Sequence, residues 1–391
     1  MNFFKSLLIA PASLGLLAPF SVTANELNLA DVSGYSSSEE VQNINEFNTK
    51  ELALTKRRVD GSEPRMNNFE AGSFSETTTA SFSADMMMGA LSNDSLVDGG
   101  EVQAGYSFQI DLNSSFTGED SFDVSIDAGN ASAGAISEFD GNSTSDALQV
   151  DGISYTFPLG DKATVMFGDN VDGSALFTTA CSYGGPSDTL SSCGNVNAGI
   201  ENGGAMAGVA YDFGTGFTVA TGWAGPETAV ATDESNDAYG INAAYTGENY
   251  GVSITYGVVE TGVSEEDTFT ALNGYYTPDA AGFPSISVGY EVGEDDSVTS
   301  GDDALTSFFV GLSWDEVGPG SAGIAMGTKT PTVEGTDEQY MYEAYYSYPL
   351  NDNVTITPLV YIKDVENVTR PHTGSGYDDE TGVMVKTSFS F

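Results

Sequence analysis

The chain has 391 residues, with 57 Asp+Glu against 11 Lys+Arg and a formal net charge of −46. Its 40% hydrophobic and 11% aromatic content excludes the disorder that such acidity often marks. Six of the eleven basic residues lie before residue 66, which excludes a basic nucleic-acid-binding surface, and 46 Gly, 22 Phe and 19 Tyr point to an all-β body.

Residues 1–24 read as a cleaved secretory signal peptide. Lys5 precedes the apolar run Ser6 to Leu17, and Val22-Thr23-Ala24 places small residues where a signal peptidase reads. The run is short and broken by Pro11 and Pro19, and no later stretch is long and apolar enough for a transmembrane helix. Export is therefore expected.

Residues 25–73 read as a periplasmic linker followed by a short helix. Leu52, Thr55, Val59, Ser62, Met66 and Phe69 follow a heptad spacing, but Gly61 and Pro64 interrupt it. A weak coiled coil and a frayed helix both remain open. Lys56, Arg57, Arg58 and Arg65 form the one basic patch, and contact with the cell wall is left open.

Residues 74–391 read as a transmembrane β-barrel. Ala104, Tyr106, Phe108, Ile110 and Leu112 alternate with Gly105, Ser107, Gln109 and Asp111. The same period of two recurs at Phe122–Ala128, Tyr250–Val258, Phe308–Trp314 and Val354–Val360, as strands with one apolar and one polar face require. Sixteen strands are expected, starting near residues 75, 101, 121, 148, 162, 204, 216, 237, 249, 267, 285, 304, 321, 339, 353 and 381. Their connections alternate short and long. Thr117–Asp120, Pro158–Asp161 and Gly214–Gly216 are turns, whereas Asn130–Ala147, Asn170–Gly203 and Glu260–Glu266 read as long loops. Short turns at one end and long loops at the other suit a 16-stranded antiparallel barrel in the outer membrane, not a soluble sandwich. The last strand alternates Val383, Val385, Phe389 and Phe391 with Met384, Lys386, Ser388 and Ser390, and its terminal phenylalanine reads as a membrane-insertion signal.

If the apolar set faces lipid, the other set faces inward. Gln109, Asp111, Asp123, Asp127, Asn242, Glu343 and Lys386 are then pore-lining, among Ser, Thr and Gly. Sixteen strands leave a water-filled passage, and its excess of carboxylates predicts a negative potential that favours cations. Cys181 and Cys193 lie 12 apart in the longest loop; a disulfide is expected in an oxidising compartment, and a single histidine, His372, speaks against a metal site. That loop is the expected constriction. Acidic runs at Glu265-Glu266-Asp267, Glu294-Asp295-Asp296, Asp302-Asp303 and Asp378-Asp379-Glu380 read as solvated loops able to hold divalent cations loosely; no other cofactor is expected. Tyr340, Tyr342, Tyr346, Tyr348, Trp223 and Trp314 suit interfacial belts. No nucleophile, metal or phosphate-loop motif is present, so no enzyme is expected.

Several stretches resemble cyanobacterial outer-membrane porins of the carbohydrate-selective porin family. They are Lys50-Glu51-Leu52-Ala53-Leu54, Leu112-Asn113-Ser114-Ser115-Phe116-Thr117-Gly118-Glu119-Asp120, Phe157-Pro158-Leu159-Gly160-Asp161, Phe309-Val310-Gly311-Leu312-Ser313-Trp314 and Thr381-Gly382-Val383-Met384-Val385-Lys386-Thr387. The resemblance runs from about residue 50 to the end and implies a homotrimeric outer-membrane channel for small hydrophilic solutes. The family's usual surface-layer-homology domain has no room in Asn25–Thr49. Asp123 and Asp127 stand where relatives tend to have basic residues, so general diffusion is expected ahead of sugar selectivity. A structural or adhesive barrel with cation-binding loops is the alternative.

Overall fold

The computed structural model describes residues 77–93, 101–131, 134–200, 204–228, 230, 236–262, 265–280, 282–294, 304–333, 337–366 and 377–391. The expected signal peptide and the linker with its short helix lie outside the described residues.

Among the described residues seventeen strands form one closed antiparallel sheet. In chain order they are β1 (Thr78–Asn93), β2 (Gln103–Ser114), β3 (Ser121–Gly129), β4 (Gln149–Leu159), β5 (Ala163–Asp169), β6 (Ala205–Asp212), β7 (Phe217–Gly225), β8 (Ala238–Thr246), β9 (Tyr250–Gly262), β10 (Glu265–Tyr276), β11 (Ser285–Glu294), β12 (Ala304–Val317), β13 (Gly320–Thr328), β14 (Thr332–Val333), β15 (Tyr340–Asn351), β16 (Val354–Glu366) and β17 (Tyr377–Ser390). β14 is a two-residue stub on β12, and β13 pairs directly with β15, so the barrel has sixteen staves. β1 pairs with both β2 and β17, which closes it. Closure leaves no edge strand with unpaired backbone groups, the condition for a sheet in hydrocarbon.

The burial pattern is inverted relative to a soluble sandwich. Along β11, Ser285, Ser287, Gly289, Glu291 and Gly293 are buried, while Ile286, Val288, Tyr290 and Val292 are exposed. The same outward apolar set continues through Val252, Ile254 and Tyr256 on β9 and Val360 and Ile362 on β16. An exposed apolar surface running around the whole barrel needs a hydrocarbon solvent. Thr221 is polar on that face, and its hydroxyl donates to the Gly240 carbonyl at 2.8 Å, which satisfies that hydroxyl without water.

The short-turn end carries an aromatic girdle. Phe116, Phe122, Tyr155, Phe157, Tyr211, Phe213 and Phe217 make ring contacts with centroids 4.8–6.3 Å apart. The terminal Phe391 joins it: its amide donates to the Phe82 carbonyl, the reverse bond is also made, and the two rings stack at 5.8 Å. The terminal residue thereby continues the β1–β17 seam.

Two expectations change. Glu260–Glu266 is not a long loop, because β9 and β10 stay paired as far as Gly262 and Glu265, leaving only residues 263–264 between them. β17 starts at Tyr377 rather than near 381, paired with β16 from Glu366↔Tyr377 onward. In both places an acidic run that reads as a solvated loop is held in the ladder by its partner strand, the usual way pairing overrides local propensity.

Candidate functional site: the lumen and its inward loops

The β5–β6 loop, described over residues 170–200 and at 204, turns into the barrel and lies along the inward face of β8 to β15. Asn170 (φ +55) starts the turn in the left-handed region that asparagine tolerates. From there the wall side chains take the loop backbone one after another. Asn242 accepts from the Thr178 amide at 3.0 Å and donates to its carbonyl at 3.2 Å. Ser253 accepts from the Ala180 amide, and Ser287 from the amides of Ser182 and Tyr183, at 2.9–3.1 Å. Asn273 donates to the Cys193 carbonyl at 2.8 Å and Ser307 to the Gly194 carbonyl at 3.1 Å. Glu291 accepts from the Asn197 and Ala198 amides and from Asn197 Nδ2 at 2.8–3.0 Å. The Tyr183 hydroxyl donates to Glu343 at 2.5 Å. Glycines on the wall admit the chain: a Cβ at Gly222 or Gly289 would fall on the carbonyl oxygen of Gly173 or Cys193. Cys181 and Cys193 are joined in a disulfide that closes the loop's tip.

A second loop also enters. The β3–β4 loop carries a 3-10 turn at Gly134–Phe139, whose Ile136 and Phe139 are buried in a cluster with Met87, Leu190, Met341, Leu359, Tyr361 and Met384. Leu190 belongs to α1 (Asp188–Ser191), a single turn in the β5–β6 loop, so both loops meet on one apolar bed. The parity rule expects small polar residues at these inward positions. Met87, Phe309, Met341, Leu359, Tyr361 and Met384 instead anchor the loops, and period-two patterning alone carries no signal for them.

Register sets the seven expected residues on the face opposite the apolar set, with the pairs Asp111↔Ser125, Gln109↔Asp127, Asn113↔Asp123, Asn242↔Thr255, Ala325↔Glu343 and Thr357↔Lys386. Four of them divide into two groups. Asn242 and Glu343 lie beneath the β5–β6 loop, which covers them. The bonds of Asp111 and Asp123 go to side chains of β2 and β3, while the β3–β4 loop meets β2 further along, where Asn142 donates to the Ser107 hydroxyl and the Phe108 carbonyl. Asp111 accepts from Gln109 at 2.8 Å and Ser125 at 2.7 Å, and Asp123 accepts from Asn113 and Ser121 at 2.5–2.6 Å. Asp127, further along β3, is buried. Lys386 has its ammonium 5.4 Å from the Phe139 ring. Sequence patterning does not single out Asp151 and Asp172, which join Asp123, Ser154 and Asn170 around a water-accessible cavity of about 500 Å³.

Electrostatics in the loops follow burial. Asp172 is raised above the ordinary carboxylate range by desolvation, and Asp188 is raised by desolvation and then by Asp140 and Glu138, with Lys363 opposing. Among the described residues no cluster of three or more His, Cys, Asp or Glu side chains is arranged to hold a metal ion.

No protein-family model matches the sequence, and no curated protein is similar to it. Solved structures do share its architecture. A mutant of Rh. blastica porin superposes with a TM-score of 0.54 at 13% identity, over 80% of this chain and 100% of that one. Pseudomonas putida OprB, solved at high pH, superposes with a TM-score of 0.58 at 10% identity, over 81% and 94%. The chain has a porin fold. At such identities the likeness is one of fold, and the chemistry has to come from this chain's own lumen.

Proposed function

We propose that the protein is an outer-membrane porin: a water-filled channel for passive diffusion of small hydrophilic solutes and inorganic ions, with cations favoured. One observation carries this reading. A disulfide-closed loop is bonded along one side of a sixteen-staved lumen, while Asp123 on β3 and Asp151 on β4, with Asp172 at the start of that loop, line a water-accessible cavity on the other. A fixed polar constriction beside free wall supports passage, and carboxylates without lysine on that wall support a preference for cations. The role is that of a channel rather than an enzyme. Outer-membrane lipid around the apolar face, export through a cleaved signal peptide and assembly as a homotrimer complete the reading. The sequence resemblance adds membership of the cyanobacterial branch of carbohydrate-selective porins, with the sugar preference displaced by the acidic wall.

The test is step conductance and reversal potential of the purified mature protein in planar bilayers under a KCl gradient. Stepwise conductance with a cation-selective reversal potential is expected. Anion selectivity overturns the charge argument and leaves a porin. A second reading, a structural barrel with a blocked lumen, draws on the apolar bed where the two loops meet. It predicts no conductance from folded, inserted protein.

A further inference from the structure

A polar tie joins the two inward loops among the described residues. The Glu138 side chain, 6% exposed, sits on the 3-10 turn of the β3–β4 loop. Its Oε1 lies 2.6 Å from Lys363 Nζ on β16, and its Oε2 accepts from the Thr189 hydroxyl of α1 at 2.9 Å. Lys363 also reaches Glu380 Oε1 on β17 at 3.5 Å, and its ammonium stands 5.3 Å from the Tyr361 ring centre. One carboxylate therefore links its own loop, the β5–β6 loop and the wall.

A carboxylate is a costly way to hold an apolar turn. The bed of Met87, Ile136, Phe139, Leu190, Leu359 and Met384 already supplies the packing, and a buried ion pair adds little stability over apolar residues of similar volume. A paired charge does fix one geometry, because each partner must meet the other within hydrogen-bonding distance. It also occupies Lys363, which would otherwise present an ammonium to passing anions.

We propose that Glu138 is a positioning residue: it locks the β3–β4 and β5–β6 loops together against β16, and so sets the width of the passage. The proposal rests on the channel reading for its conductance readout, though the lock itself does not. The experiment compares wild type with Glu138→Ala, Lys363→Met, their double variant and Thr189→Val, each checked for a folded barrel by heat-modifiable gel migration. Step conductance, reversal potential and amide hydrogen exchange are measured on each.

A lock predicts that both single variants raise step conductance by the same factor and that the double variant goes no further. Exchange rises together at residues 134–139 and 188–191, and Thr189→Val reproduces the rise at 188–191 with Lys363 still paired. A charge-only role predicts something different. Conductance stays near wild type, the two single variants shift the reversal potential in opposite directions, and the double variant returns to wild type. That result overturns the proposal. If the wild type does not conduct, the channel reading fails and exchange alone decides: coupled release of both segments supports the lock, and release of 134–139 alone overturns it. Should the charge variants fail to fold, Thr189→Val carries the same decision.

Discussion

Two stretches of the lumen wall share one pleat and one parity, yet they are built for different neighbours. The stretch from β8 to β12 presents Asn242, Ser253, Asn273, Ser287, Glu291 and Ser307, each bonded to the backbone of the β5–β6 loop. The stretch from β2 to β5 presents Asp111 and Asp123, whose partners are side chains of their own and adjacent strands, with Asp151 and Asp172 around the same cavity. Polar residues facing inward thus do one of two jobs. Short neutral ones and a buried glutamate replace water for a loop that would otherwise carry unsatisfied amides, and aspartates left facing solvent create a field. An inward polar residue is evidence for a pore only after its partner is known.

The comparison breaks most sharply at Glu291. Glu291→Ala leaves the Asn197 and Ala198 amides without an acceptor in a buried setting, at about 1–3 kcal/mol for each orphaned donor. The expected outcome is a loop that leaves the wall while the barrel stays folded. Limited proteolysis should then cut within residues 170–204, and open-channel current noise should rise. An uncut loop with wild-type noise would show that the remaining Ser and Asn contacts suffice.

Gly289→Ala comes next. Its new Cβ meets the Cys193 carbonyl backbone, which cannot rotate away, so the loop tip must shift, at about 1–3 kcal/mol by analogy with core overpacking. The same change at Gly274 on neighbouring β10 meets only ordinary van der Waals contacts, the Gly251 carbonyl oxygen at 3.5 Å and Val252 at 3.7 Å, and serves as the control. Conductance should change for Gly289→Ala and stay put for Gly274→Ala; equal behaviour would remove the loop from the wall at this point.

On the open side the expected effects are smaller and electrostatic. A carboxylate acts on an ion 4 Å away with about 1 kcal/mol in bulk water, and salt screens anything beyond about 10 Å at 0.1 M. Replacing Asp111, Asp123 and Asp172 together with Asn should move the reversal potential toward zero, with step conductance little altered. Replacing Glu343, which the loop covers, should move it less. If Glu343→Gln moves it as far as the triple variant does, the two stretches are not distinct in the way their hydrogen bonds imply.

Much of the scaffold was legible in the sequence because period-two alternation and the alternation of turns with loops are properties of single segments. The expected start at 121 coincides with β3, and those at 285 and 304 with β11 and β12. What was not legible depends on contacts between distant segments. Met87, Met341, Leu359 and Met384 break the inward polar rule, and only the docked Ile136, Phe139 and Leu190 explain why. The Glu138–Lys363 pair joins residues 225 apart in the chain, and nothing local announces it. The inward course of the β5–β6 loop was suggested by its length and its cysteines, but its partners, spread from β8 to β15, were not.

The smallest effect belongs to the turn between β2 and β3, which resembles neither stretch of wall and has the clearest pH signature. Asp120 accepts from the Tyr155 hydroxyl at 2.7 Å through Oδ2, and through Oδ1 from the Phe116 and Thr117 amides and the Ser115 and Thr117 hydroxyls at 2.7–3.0 Å. The Tyr155 bond, followed by those from Thr117 and Ser115, outweighs desolvation and holds this carboxyl well below the ordinary carboxylate range. A carboxyl lowered on folding contributes stability that is complete above its unfolded pKa and is lost as pH falls through its folded one. Protection of the Phe116 and Thr117 amides should therefore persist through the range, around pH 4, where free aspartates take up protons, and fade only in stronger acid. Asp120→Asn keeps one acceptor oxygen but no titration, so its weaker protection should be flat across the same range. Protection in the wild type that fades around pH 4 would mean that the Tyr155 and turn bonds do not favour the charged form of Asp120.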